Sequence, residues 1–145
     1  MQQILGWILI IFPGILLVTQ LISSVNFTLA QKLGLQEKPE ETDTLLQRAE
    51  KYTAYWDLVT LLWLPVAGAL MVLNISVWPI VAFFGATIYL DAAGREAAKI
   101  LSFKHEGVRI GPPVQQRLFF ITYIVMAILG IIVIAYSIKP ILNVL

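Results

Sequence analysis

The chain reads as an all-α, polytopic membrane protein with four transmembrane helices, two of them carrying cytoplasmic helical extensions. Three observations predict this. Apolar residues make up 59% of the 145 positions and charged residues only 13%, against about 45–50% and about 25% in soluble domains. A globule of this size could not hide so much apolar surface, whereas lipid can. The apolar residues also fall into four long runs near the ~20 residues that cross a bilayer, and the basic residues gather between alternate runs.

The first run extends from Ile4 to about Ala30. Its Pro13-Gly14 pair predicts a kink, because proline removes a backbone donor and crowds the preceding turn. Met1-Gln2-Gln3 brings no Lys or Arg, and no small-residue cleavage site follows, so the run is expected to be a membrane helix rather than a leader. The second run covers Tyr55 to Leu73, with a further bend expected at Pro65. A short turn, Asn74-Ile75-Ser76, leads to the third, from Val77 to about Ala93, where Pro79 sits in the tolerant first turn. The fourth spans Leu118 to Tyr136, between Gly111-Pro112-Pro113 and Pro140. The expected spans are therefore 4–30, 55–73, 77–93 and 118–136. No repeat, low-complexity tract or linker divides the chain, which predicts a single domain over 1–145.

Two extensions are predicted from periodicity. Thr44-Leu45-Leu46-Gln47 has the spacing of a capping box, and Leu45, Ala49, Tyr52 and Trp56 then recur at helical intervals, with Gln47, Arg48, Glu50 and Lys51 mostly on other faces. Beyond the third run, Ala93, Ala97, Ile100 and Leu101 make an apolar stripe as far as Gly107. Arg95, Glu96 and Lys99 are expected to point elsewhere.

Of the ten Lys and Arg residues, Lys32, Lys38, Arg48 and Lys51 belong to the first loop and Arg95, Lys99, Lys104, Arg109 and Arg117 to the third; only Lys139 lies elsewhere. The positive-inside bias then makes loops 31–54 and 94–117 cytoplasmic. With an even number of spans, both termini fall on the outer side. Trp7, Trp78 and Tyr136 are expected at the outer interface, and Tyr52, Tyr55, Trp56 and Phe103 at the inner one.

Polar residues within the runs concentrate toward the cytoplasmic side. Gln20, Asn26, Asp57, Asp91, Arg95 and Arg117 form the candidate polar cluster. Two readings compete for Asp57 and Asp91. Carboxylates inside a bundle are costly and mark function; near the headgroups they cost little, with Asp91 paired to Arg95 one turn away and Asp57 to Arg117 or Lys51. The headgroup reading is favoured, since neither residue falls at the midplane. Gln20, Ser23 and Asn26 could line a ligand site, or join helices by hydrogen bonds worth about 1 kcal/mol each, which is the commoner role. Ala82 with Ala86, Ala93 with Ala97, and Gly94 with Ala98 mark a close-packing helix, and Ala67-Gly68-Ala69 its natural neighbour.

Several chemistries are excluded. The chain has no cysteine, which removes disulfides, thiolate catalysis and iron–sulfur ligation. His105 is the lone histidine, so no zinc or haem site can be assembled from one chain. Neither a glycine-rich phosphate loop nor Gly-x-Ser-x-Gly occurs. No cofactor is expected, no catalytic or metal-ligating residue is assigned, and a net charge of +1 offers no field for nucleic acid. The expected function is a non-catalytic accessory, assembly or scaffold component of a membrane complex. Its partners would be the lipid bilayer and either another membrane protein or further copies of itself. A small homo-oligomeric transporter or channel is the alternative. A third is a lipid-modifying enzyme, with Asp57 or Asp91 as base and Arg95 or Arg117 holding a phosphate in a cytoplasm-facing pocket.

Overall fold

The computed structural model describes residues 1–142, so the last three residues of the expected domain lie outside the described part. Its helices are α1 (Gln2–Val25), α2 (Phe27–Lys32), α3 (Thr44–Thr60), α4 (Trp63–Val72), α5 (Trp78–His105) and α6 (Pro113–Leu142). Because α3 runs on into α4 as one rod, Thr44–Val72, the chain forms five helical rods rather than a four-helix bundle. Its apolar helices support a multi-pass, membrane-associated protein.

The expectation of four transmembrane helices is corrected. Among the described residues three helices are long and apolar enough to cross a membrane: Gln2–Val25, Thr44–Val72 and Pro113–Leu142. The expected span 77–93 does not qualify. Its apolar stretch begins at Trp78 and is cut at Asp91, with Arg95, Glu96 and Lys99 soon after, so it falls short of the roughly 20 residues required. The even-number argument that placed both termini outside falls with that count. What α5 does is serve the interior. One face, comprising Ala82, Gly85, Ala86, Tyr89, Ala92, Ala93, Glu96 and Ile100, is buried along its length.

Local chemistry explains the boundaries. The first apolar run is not one helix to Ala30: it stops at Val25, and Asn26 restarts it as α2 by accepting from the Leu29 N–H at 2.9 Å. The N-cap of α3 is Asp43, one residue before the expected Thr44, and it accepts from the Leu45 N–H at 3.2 Å. Gly34 after α2 and Gly107 after α5 both take left-handed backbone, with φ of 73° and 75°, which glycine adopts without a Cβ penalty. The α3–α4 rod breaks at Leu61–Leu62. Pro65 has no N–H to offer the Leu61 carbonyl, and the buried Tyr89 hydroxyl reaches that oxygen instead, at 3.5 Å.

The four long rods pack in a row in the order α1, α3–α4, α5, α6, with the short α2 against α1. Small residues set the close approaches. A Cβ on Gly68 would lie 2.6 Å from the Gly6 carbonyl oxygen, so α4 and α1 touch through their backbones there. Gly68 therefore meets α1 and not α5. A Cβ on Gly85 would lie 3.0 Å from Leu64 N, and one on Gly130 3.0 Å from Ala86 O, which closes the α4–α5 and α5–α6 seams. The core along these seams includes Leu9, Leu64, Met71, Ala82, Ala86, Tyr89, Met126 and Val133.

At one end of the row the Gln2 amide donates to the Met71 carbonyl at 2.9 Å, and Trp78 stacks on Tyr136 at 5.6 Å. Trp78 is thus packed within the protein rather than spread into an interface. At the other end the two basic loops meet. Thr42 pairs with Ile110, the Asp43 N–H donates to the Arg109 carbonyl at 2.9 Å, and Leu46, Ile100 and Ile110 form a small second core.

Candidate functional site

The break at Leu61–Leu62 has a structural consequence. α4 lies tight on α5, but α3 makes only slight contact with it, leaving a wedge between α3 and α5 that α1 and α6 flank. A cavity of about 240 Å³ fills this wedge. Four helical stripes line it: Leu16, Thr19 and Gln20 of α1; Glu50, Thr53 and Asp57 of α3, with Leu61 just past its end; Ala92 and Glu96 of α5; Leu118, Phe119, Thr122, Tyr123 and Met126 of α6. Each set follows the three-to-four-residue spacing of one helix face.

The loop after α2 closes the end nearest the basic loops. Gly34, Leu35, Gln36 and Glu37 line the cavity there. Gln31 donates from Nε2 to the Glu37 carbonyl at 2.8 Å, and Gln36 donates from Nε2 to Ser23 Oγ at 3.2 Å. These bonds hold the segment inward, with Glu37 only 2% exposed.

Charge in the cavity is one-sided. Glu37, Glu50, Asp57 and Glu96 all line it. The Lys99 ammonium lies 2.8 Å from Glu50 Oε1 and also pairs with Glu96. Arg95 reaches Glu96 at 4.0 Å from a half-exposed position. Asp57 is 5% exposed, and its Oδ1 has no partner at all.

Part of the cavity's donor capacity is already used. Thr19 and Thr122 spend their hydroxyl protons on the Leu16 and Leu118 carbonyls, at 2.7 and 3.0 Å, and so turn lone pairs outward. The Gln36 amide is likewise committed to Ser23. The lining thus sets acceptor oxygens around an unpaired carboxylate beside the Gln20 amide and the Thr53 and Tyr123 hydroxyls, and its excess of carboxyl groups favours a hydrogen-bond-donating cation over an anion. No group of three or more His, Cys, Asp or Glu in metal-binding arrangement occurs among the described residues, so the donor set does not read as a metal centre.

Of the residues singled out from sequence, Gln20 and Asp57 line the cavity together. Asn26 is exposed and caps α2. Asp91, Arg95 and Arg117 are exposed and do not line it. Sequence reasoning missed Glu37, Glu50, Glu96, Lys99 and Tyr123. A signal existed on α3, where Glu50, Thr53 and Asp57 recur at i, i+3 and i+7 as a polar stripe within an apolar rod. Glu37, in a loop, has no periodicity to betray it.

Burial pushes the Glu37 carboxyl up to about 7, helped by Glu50 and opposed by its own backbone N–H and Lys99. A carboxyl that holds its proton better folded than unfolded adds stability that is complete below its unfolded value. That contribution is lost as pH rises through the folded one. Thermal stability in detergent is therefore expected to fall between about pH 5 and about pH 8, by an amount on the order of a few kcal/mol. Glu37→Gln should flatten that slope; an equally steep slope in the variant would assign the titration to another group.

Comparison with known proteins gives no match to a family model, to a curated protein or to a solved structure.

Proposed function

We propose that this is a small multi-pass membrane protein that receives a cationic group in its acid-lined cavity, acting as a binding or carrier protein rather than an enzyme. The observation that carries the reading is Asp57, a buried carboxylate with an unpartnered oxygen, on a cavity that sets four carboxyl groups against one partly buried lysine. A buried charge without a partner costs several kcal/mol, and it is tolerated where a ligand supplies the missing charge. The end of the row where loops 33–43 and 106–112 meet faces the cytoplasm in this reading, supported by the Lys and Arg they and their flanks carry.

Octylamine, with octanol as its uncharged counterpart, tests the proposal on the detergent-purified chain. Octylamine should raise the melting temperature of the wild type and octanol should not. Asp57→Asn should match or exceed the wild type in stability, by about 1–3 kcal/mol. It should also need at least ~10-fold more octylamine for the same effect. An Asp57→Asn protein that is less stable and still responds like wild type would give Asp57 a packing role and sink the proposal.

One observation favours the accessory or scaffold reading in second place. Gly94 and Ala98 lie exposed on the outer face of α5, with nothing within 4 Å of a Cβ built on Gly94. Such a face suits close approach of another helix. Stoichiometric co-purification of a second membrane protein, lost in Gly94→Leu, would favour it.

A further inference from the structure

We infer that the cavity takes a primary ammonium carried by a membrane amphiphile, with an ethanolamine lipid headgroup as its bilayer-borne form, and that this group arrives sideways between α1 and α6. The inference rests on the cation-binding reading above and adds the ligand's chemistry and its route.

The route follows from which contacts are made. α1 and α6 both line the cavity, yet they at most graze each other. The row of rods therefore stays open between its first and last members. The end toward the basic loops is stoppered by Gln36 and Glu37, both buried and hydrogen-bonded in place. The parts of α1 and α6 that line the cavity include apolar Leu16, Leu118 and Phe119, of which Leu118 is exposed. An apolar border beside helices whose outer faces carry exposed Ile15, Val18, Ile121 and Val125 is a threshold onto lipid rather than onto water.

Size and donor count narrow the occupant. The cavity, about 240 Å³, is smaller than the roughly 300–1,000 Å³ of sites that enclose drug-sized ligands. It has room for a headgroup while acyl chains remain outside in the bilayer. Inside, Asp57 Oδ1 lacks a hydrogen bond, and the Thr19 and Thr122 oxygens offer lone pairs. A primary ammonium brings three N–H donors to such a surface. A quaternary ammonium brings none and is held by aromatic cages, which this lining does not build. An ethanolamine lipid also carries a phosphate, which the carboxylates would repel. Arg117 stands exposed on α6 one residue before Leu118 of the mouth, so a phosphate left outside has a cation beside it.

The full chain, stripped of lipid in mild detergent, is offered phosphatidylethanolamine, its N-acetylated form, phosphatidylcholine and free ethanolamine, with retention read by native mass spectrometry and titration. Phosphatidylethanolamine should be held at least ~10-fold more tightly than each of the other three, the loss expected when a charged hydrogen-bonding group or its anchor is removed. Asp57→Asn should erase that preference while circular dichroism keeps its helical signal. Equal retention of the N-acetylated lipid or of phosphatidylcholine would overturn the primary-ammonium assignment. Free ethanolamine binding as tightly as the lipid would overturn the sideways route. Refusal of phosphatidylethanolamine by a protein that still responds to octylamine removes the lipid and leaves the cation cavity; refusal of both removes the cavity reading as well.

Discussion

Replacing Lys99 with methionine is expected to destabilise the protein by about 3–5 kcal/mol, the cost of breaking a buried ion pair from one side. Lys99 bridges two rods, pairing with Glu50 of α3 at 2.8 Å and with Glu96 on its own helix. The side chains of all three are under one-fifth exposed, so water would screen little of the loss. Methionine keeps the length of the stem and removes only the charge. Two carboxylates would then face each other with only half-exposed Arg95 nearby. The partner substitution makes the result interpretable: Lys99→Met with Glu50→Gln should recover much of the loss, because the pair rather than the lysine stem is the source of the cost. Unfolding in graded detergent mixtures, followed by circular dichroism, reads both. A Lys99→Met protein within about 1 kcal/mol of wild type would mean that the pair behaves like a solvated one.

The second large effect concerns packing. Gly68→Leu should cost at least about 3 kcal/mol, the upper part of the overpacking range, because its Cβ alone would fall 2.6 Å from the Gly6 carbonyl and 2.9 Å from Leu9 Cβ. Neither obstacle can swing aside: one is backbone, and the other is the first atom of a fully buried side chain. Gly68→Ala should already be damaging. The same substitution at Gly94, with no atom within 4 Å of the new Cβ, should instead stabilise the helix by about 0.5–1 kcal/mol. Equal responses at the two glycines, read by the same unfolding assay, would mean that α1 and α4 do not cross so closely.

Much of the architecture could be read from the chain. Three helices carry apolar runs long enough to declare themselves, and Pro65 announced the interruption of the second rod. α5 was misread because hydropathy averages over faces. Its first half is apolar enough to look like a span, while Asp91 through Lys99 divide their charges between an exposed side and a buried one. Periodicity tells which residues share a face but not which face turns inward. The apolar stripe Ala93, Ala97, Ile100 and Leu101 turns Glu96 and Lys99 elsewhere, yet Glu96 is buried and Leu101 exposed. Glu50 is set apart from the Tyr52–Trp56 face in the same way, yet those aromatic residues are the exposed ones. Gln20 and Asp57 are legible as members of the polar set that gathers toward one side of the apolar runs, although the sequence favours a headgroup-level Asp57 and a helix-joining Gln20. The cavity that joins them depends on the splay of α3 from α5, a tertiary property that no local pattern encodes.

The row-like packing also bears on how the chain is made. Every major seam joins rods that follow one another in sequence, so each helix leaving the ribosome finds its partner already laid down, and little must be rearranged later. The exception is charge. Glu50 and Asp57 emerge with α3, whereas Lys99, which faces Glu50, is not synthesised until α5 is nearly complete. Through that interval the nascent protein carries acids in search of a cation, and the wall that α6 supplies is still to come. The cavity is thus the last feature to exist during biosynthesis, and quality control that samples unfinished membrane chains would meet its acidic side exposed.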